Sequence, residues 1–260
     1  MALLAVENLS VSFDGIRALQ GVSLAVEPGQ LFALVGPNGA GKTTLFNCLS
    51  RICRQDSGAI SFKGQEISNL KPHQIPATSI GRTFQNIELF AGLSALENIL
   101  LGCHLQTHTG LSGSFFFTRS ARQAEIQARR AAEEVIDFLE LEAVRQEPAG
   151  SLPYGVRKRI ELGRALALKP ELLLLDEPAA GMNTEEKEEL SWWIGEIRGG
   201  LGITVLLVEH DMRLVMDLSD RVCVLDHGQV IATGRPEEVQ QHPQVIAAYL
   251  GRTDHALAGG

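Results

Sequence analysis

The chain predicts an α/β fold, with a core built on a buried parallel sheet, antiparallel β-structure before it and a mostly helical subdomain inserted into it. Three observations carry that reading. The short apolar runs Leu172-Leu173-Leu174-Leu175 and Thr204-Val205-Leu206-Leu207-Val208 have the composition of strands covered on both faces. A third run, residues 31–35, leads into Gly36-Pro37-Asn38-Gly39-Ala40-Gly41-Lys42-Thr43, a complete G-x-x-x-x-G-K-[ST] phosphate loop. Between residues 87 and 162 the period-two texture gives way to helical spacing.

The elements follow in order. Residues 5–13 alternate apolar and polar, Asp14-Gly15 signals a turn, and residues 22–26 alternate again before Pro28-Gly29, so residues 3–35 read as β-structure. After the phosphate loop, Thr44-Leu45-Phe46-Asn47-Cys48-Leu49 reads as a helix. Ser57-Gly58 then introduces a short strand at 59–62, and a further extended segment at 80–85 ends on Gln85. A glycine- and serine-rich stretch between Gly102 and Ser120 carries Phe115-Phe116-Phe117. A helix is expected over 120–145, with Ile126, Val135, Phe138, Leu139 and Leu141 on one side, and another over 157–168. Residues 221–225 and 229–232 around Asp226-His227-Gly228 read as a hairpin. The expected division is a core of residues 1–86 and 163–260, and a helical subdomain of residues 87–162.

Bulk composition excludes several classes. Lys and Arg total 23 against 31 Asp and Glu, a net charge of −8 that argues against nucleic-acid binding. Arg157-Lys158-Arg159 reads as a local basic patch. The four cysteines form no C-x-x-C pair and read as buried free thiols of a reducing compartment. Met1-Ala2-Leu3-Leu4-Ala5-Val6-Glu7 carries no charged n-region and meets a glutamate too early to read as a signal peptide. No apolar run approaches the roughly 20 residues that span a bilayer. The expected location is cytoplasmic, with membrane contact only through partners.

The phosphate loop defines the chemistry. Glycines let successive N–H groups of Gly36, Pro37, Asn38, Gly39, Ala40, Gly41 and the following residues turn toward one anion (Pro37 contributing none), and the helix dipole adds positive potential. Lys42 would reach the β- and γ-phosphates of ATP, and the Thr43 hydroxyl would sit on Mg²⁺, with Thr44 beside it. Asp176, ending an apolar strand, can hold Mg²⁺ directly or through water, and Glu177 can then polarise an attacking water. The later apolar strand likewise ends in charge, Glu209-His210, as expected at the ligand crevice of an α/β sheet.

In these motifs and their order the chain resembles the ATP-binding cassette (ABC) ATPases, a branch of the phosphate-loop NTPases, over nearly its whole length. The resemblance implies that Phe13 stacks on adenine. Gln85 would contact Mg²⁺ or water and report to a membrane partner, and His210 would contact the γ-phosphate. Leu152-Pro153-Tyr154-Gly155-Val156 occupies the place of the family's Leu-Ser-Gly-Gly-Gln signature, which grips ATP bound by the opposite subunit. Pro153 lacks both the serine hydroxyl and an N–H, and Val156 replaces the glutamine, so the composite site should be weakened. Asn183 stands where an aspartate is common. Residues 80–85, 179–183, 209–216 and 245–251 look most like the Liv-type ATPases of branched-chain amino acid importers. That resemblance implies transmembrane permease subunits and a second ATPase subunit, identical or different, on the inner face of the membrane. Three alternatives remain open: a weakly hydrolysing nucleotide-gated switch, the same ATPase for another cargo (urea, a short amide or a lipid), and a soluble cassette protein acting on ribosomes or DNA. Residues 86–120, with their phenylalanine run, are the expected docking surface.

Overall fold

The computed structural model describes residues 1–83, 85, 87–104 and 119–250. Among the described residues ten strands form two sheets. β1 (Leu4–Phe13), β2 (Ile16–Val26), β4 (Ser57–Phe62) and β5 (Gln65–Glu66) make an antiparallel sheet in the order β2-β1-β4-β5. β3 (Leu31–Val35), β6 (Ile80–Arg82), β7 (Leu172–Asp176), β8 (Thr204–Val208), β9 (Arg221–Asp226) and β10 (Gln229–Gly234) make the second, in the order β10-β9-β3-β8-β7-β6. All its pairings are parallel except the β9–β10 hairpin.

Every residue of β3, β7 and β8 is buried, because both faces of this sheet are covered. The leucine run of β7 divides by period two. Leu172 and Leu174 face a core shared with the antiparallel sheet and with Phe46 and Leu49 of α1 (Lys42–Leu49). Leu173 and Leu175 face the helices α2 (Ala95–His104), α3 (Arg119–Phe138), α4 (Tyr154–Leu166) and α5 (Thr184–Gly199). Each buried leucine contributes roughly 1.5–3 kcal/mol, so a uniformly apolar strand bonds two layers into one body.

The helices differ from expectation in particular places. α3 ends at Phe138 rather than near 145, because Glu140 adopts a left-handed backbone (φ 51°) that breaks the helix between buried Leu139 and Leu141. Ile126, expected on the packed side, is exposed. α4 begins at Tyr154, three residues before the expected start. α5 had no sequence expectation, although Asn183 and Glu186 form a capping box at its N-terminus. Asn183 thus performs the capping that an aspartate would perform, which accounts for its tolerance there. Two further helices and a short one close the chain, α6 (Met212–Leu218), α7 (Pro236–Gln240) and α8 (Pro243–Leu250). All four cysteines are free of disulfides, and Cys48, Cys103 and Cys223 are buried. Among the described residues no helix is long and apolar enough to cross a membrane. Phe115-Phe116-Phe117 lie outside the described residues.

Candidate functional site

The carboxyl ends of β3, β7 and β8 open onto one cleft of about 520 Å³. Its floor is the phosphate loop. Gly36, Gly39 and Gly41 all take positive φ (150°, 80° and 106°), the conformations that turn the loop amides inward. At Gly36 a side chain would run into the Leu225 carbonyl, and at Gly41 a Cβ would lie 2.6 Å from the Ala18 oxygen. The loop is therefore wedged between β2 and β9. Lys42 folds back over it, its Nζ donating to the carbonyls of Gly36 (2.6 Å) and Pro37 (3.1 Å).

Asn38, Gly39, Ala40, Gly41, Lys42, Thr43 and Thr44 line this cleft together with Gln85, Glu177 and His210. Gly36 and Pro37 form the stem of the loop and do not line it. Glu177 has a left-handed backbone (φ 47°), unusual for a residue with a side chain, and its N–H donates to the Val208 carbonyl. The Gln85 side-chain amide donates to Glu177 Oε2 at 2.9 Å. His210 is 60 % exposed, with Nδ1 3.9 Å from the same oxygen. Three residues far apart in sequence thus meet around one carboxylate.

Asp176 lies just behind them, buried, and does not line the cleft. Its Oδ2 accepts from the Arg82 guanidinium at 2.9 Å. Burial raises its pKa most strongly, and Arg82 opposes that shift. The chemistry of these groups fits Mg²⁺: Thr43 and Gln85, which line the cleft, carry hard oxygens, and the Asp176 carboxylate stands behind them, few enough to leave room for water and phosphate.

Phe13 is not brought to the loop. It ends β1, opposite Ile16 across the turn, and is half exposed. Ala18 of β2 lines the cleft instead. Leu152, Pro153, Tyr154, Gly155 and Val156 also lie apart from it. Pro153 is the N-cap of α4 and offers no side-chain acceptor. Leu152 and Val156 pack against the helical core. The Tyr154 phenol donates to the Ala180 carbonyl at 2.9 Å, beneath the Arg157 guanidinium. A Cβ at Gly155 would press on the Glu186 carboxylate.

Three further residues belong to this neighbourhood; of them, the sequence placed only Glu209 at the crevice, and gave Arg82 and Lys158 no part in the site. Arg82 joins Asp176 to the Ser50 hydroxyl and the Phe46 carbonyl at the end of α1. Glu209 is wholly buried and accepts from the N–H groups of Ala179 (2.8 Å) and His210 (3.0 Å), tying the loop after Glu177 to the histidine. Lys158 is buried beside Glu161 and donates to the Gln85 carbonyl. Arg157-Lys158-Arg159 is therefore no basic patch, since Lys158 points inward and Arg159 pairs with Glu189 at 2.9 Å.

Comparison with known proteins bears on the family and the fold. The ABC transporter family profile matches residues 19–180, and that of the branched-chain amino acid ATP-binding cassette transporters matches residues 229–255. The chain is 41 % identical over 249 residues to the high-affinity branched-chain amino acid transport ATP-binding protein BraF of Pseudomonas aeruginosa, covering 96 % of this chain and 98 % of that one. LivG of Escherichia coli, described in the same words, matches with the same identity and coverage. Among solved structures, the ADP conformation of MJ1267, an ATP-binding cassette of an ABC transporter, superimposes with a TM-score of 0.84 at 32 % identity, covering 96 % of this chain and 99 % of that one.

Proposed function

The chain belongs to the ABC transporter family, and from that membership we propose that it is the ATP-binding and ATP-hydrolysing subunit of a membrane importer for branched-chain amino acids. The observation that carries the reading is the meeting of Gln85, Glu177 and His210 over a phosphate loop that ends in Lys42 and Thr43. In the proposed step Lys42 leaves the loop carbonyls for the phosphates of ATP, and Glu177 takes the proton of a water whose oxygen bonds to the γ-phosphorus as the bond from that phosphorus to the β–γ bridging oxygen breaks and ADP leaves. Gln85 orients that carboxylate through its amide, and His210 contacts the γ-phosphate. Thr43, Gln85 and Asp176 would hold Mg²⁺, which when bound neutralises phosphate charge. Phe13, exposed and close in sequence to the cleft-lining Ala18, would meet adenine at the rim.

Residues 152–156 lie outside this chain's own cleft, so in this reading they complete the cleft of a second ATPase subunit, with residues 87–162 moving as a helical lever on the core of residues 1–86 and 163–260. A permease segment would dock in the apolar groove of about 550 Å³ between α2, α4 and the residues around Pro72–Ile80. Ile52 and Phe90 line it and are more than half exposed. Such docking makes the protein peripheral, on the inner face of the membrane.

The test is uptake of labelled leucine, isoleucine and valine by the source organism with the chain deleted, restored with the parent or with Lys42→Ala. Restoration by the parent alone is the expected result. Unchanged amino acid uptake in the deletion strain, with loss of urea, amide or lipid uptake, would overturn the cargo and keep the ATPase. Pro153 and Val156 favour a second reading, a switch that binds ATP and hydrolyses it poorly; turnover of the assembled complex no higher than that of its Glu177→Gln control would select it.

A further inference from the structure

Lys158 and Glu161 stand three residues apart on the inner face of α4, with side chains 4 % and 2 % exposed and Nζ 3.2 Å from Oε2. Burying such a pair does not by itself stabilise a helix, since desolvating two charges costs about as much as their attraction returns, and apolar residues of like volume serve as well or better. The pair therefore calls for a role beyond packing. The second hydrogen bond of Lys158 supplies one: Nζ donates to the Gln85 backbone carbonyl at 3.1 Å. Gln85 in turn donates its side-chain amide to Glu177 at 2.9 Å. A continuous chain of polar contacts thus runs from the inside of α4 to the carboxylate that faces the cleft.

We propose that Lys158 is a positioning residue for hydrolysis: held by Glu161, it clamps the Gln85 backbone to α4, so that movement of this helix is transmitted to Glu177. The inference rests on the ATPase reading above. A further contact fits it. Four residues earlier on the same helix, Tyr154 holds the Ala180 carbonyl, so α4 also grips the loop that follows Glu177. Neither contact is needed to fold a helix whose other inward residues, Ile160, Leu162 and Leu166, are apolar and buried.

The experiment replaces the clamp without opening a hole. Lys158→Met combined with Glu161→Leu keeps the volume and removes both charges, and Gln85→Ala is made alone and in that background. The double variant should melt within a few degrees of the parent and bind ATP within about twofold, while kcat falls by about ten- to a hundredfold at nearly constant KM. The Gln85→Ala loss should then be no larger in the double variant than in the parent, because both changes break one chain. Lys158→Arg, which keeps charge and donors, should recover turnover to within about threefold of the parent, and it decides the matter should the double variant fail to fold. Parental kcat in the double variant, or losses that multiply with Gln85→Ala, would overturn the clamp alone; an unaltered chain with no turnover would overturn the ATPase reading and the clamp together.

Discussion

In the proposed mechanism two helices of this molecule present their N-termini for phosphate, and they are built in opposite ways. α1 follows a loop whose three positive-φ glycines turn amides inward, and it begins with Lys42 and Thr43, which line the same cleft. α4 follows Pro153, which has neither an N–H nor a side-chain acceptor, and presents only Gly155, Tyr154 and the helix dipole. The first site draws its loop and its side chains from one stretch of chain and rests on backbone geometry that admits little change. The second has no ligand groups of its own side chains to lose. It is instead tied by Tyr154 and Lys158 to the loops around Glu177, so this end of the molecule is better built to transmit a position than to hold an anion.

The largest effect should come from the cleft carboxylate. Glu177→Gln keeps the left-handed backbone and the contact with Gln85 but removes the proton acceptor. Turnover should fall by about 10²–10⁴-fold, while ATP affinity stays within about threefold. Light scattering with Mg-ATP then reads the second site: a monomer-to-dimer shift means that the signature end of α4 still grips nucleotide, and a stable monomer means that a different ATPase subunit completes the pair. Hydrolysis at the parental rate would remove Glu177 from the mechanism.

The rigidity of the first site is tested within the loop itself. Gly36→Ala forces a methyl against the Leu225 carbonyl as well as an unfavourable φ, and should cost about 3 kcal/mol or more and abolish ATP binding. Gly39→Ala meets open space and has only the φ of 80° against it, so about 1 kcal/mol is expected. Chemical denaturation of both variants measures the difference. Equal losses would mean that strain alone, not the wedge between β2 and β9, shapes the loop.

The same contrast sorts what was legible in the sequence. The phosphate loop, the β7 and β8 strands with their terminal carboxylates, and the β9–β10 hairpin are local patterns, and local patterns carry their own geometry. Arg82 and Lys158 are single polar residues whose partners lie 94 and 73 positions away, and the partner of Glu209, 30 positions away, was equally hidden. Their burial follows only once the sheet has assembled, and Lys158 between two arginines reads as surface charge until α4 is turned against Gln85. The end of α3 was hidden for another reason, since nothing in Leu139-Glu140-Leu141 announces a left-handed glutamate. α5 could have been found from its Asn183–Glu186 cap, although its weak apolar stripe gives little else.

A smaller effect, of opposite sign, is expected at the second site. Pro153→Ser with Val156→Gln supplies a hydroxyl, an N–H and a polar tip where α4 begins. The serine cap should stabilise the helix by about 1 kcal/mol, and turnover should rise by roughly tenfold as the paired state closes more readily. A gain in melting temperature with no gain in turnover would mean that the contacts of Tyr154 and Lys158, not phosphate binding, limit the cycle.

The smallest effect concerns a third helix N-terminus beside the cleft, that of α6, where Asp211 follows His210. Asp211 accepts from Lys187 Nζ at 2.7 Å and from the N–H groups of Arg213 and Leu214. The Lys187 hydrogen bond is the main cause of its lowered pKa. A carboxyl with a lower pKa folded than unfolded stabilises the protein above its unfolded value, near 3.9, and loses that contribution as pH falls through the folded value. Lys187→Met should therefore cost below about 1 kcal/mol, because both partners are partly exposed and screened. The gap between parent and variant should stay level from about pH 5 to 9 and close below about pH 3.5, as acid unfolding followed by circular dichroism would read. A gap that persists at pH 3 would mean that Lys187 acts by packing α5 against α6, and that charge at this third terminus matters no more than it does at α4.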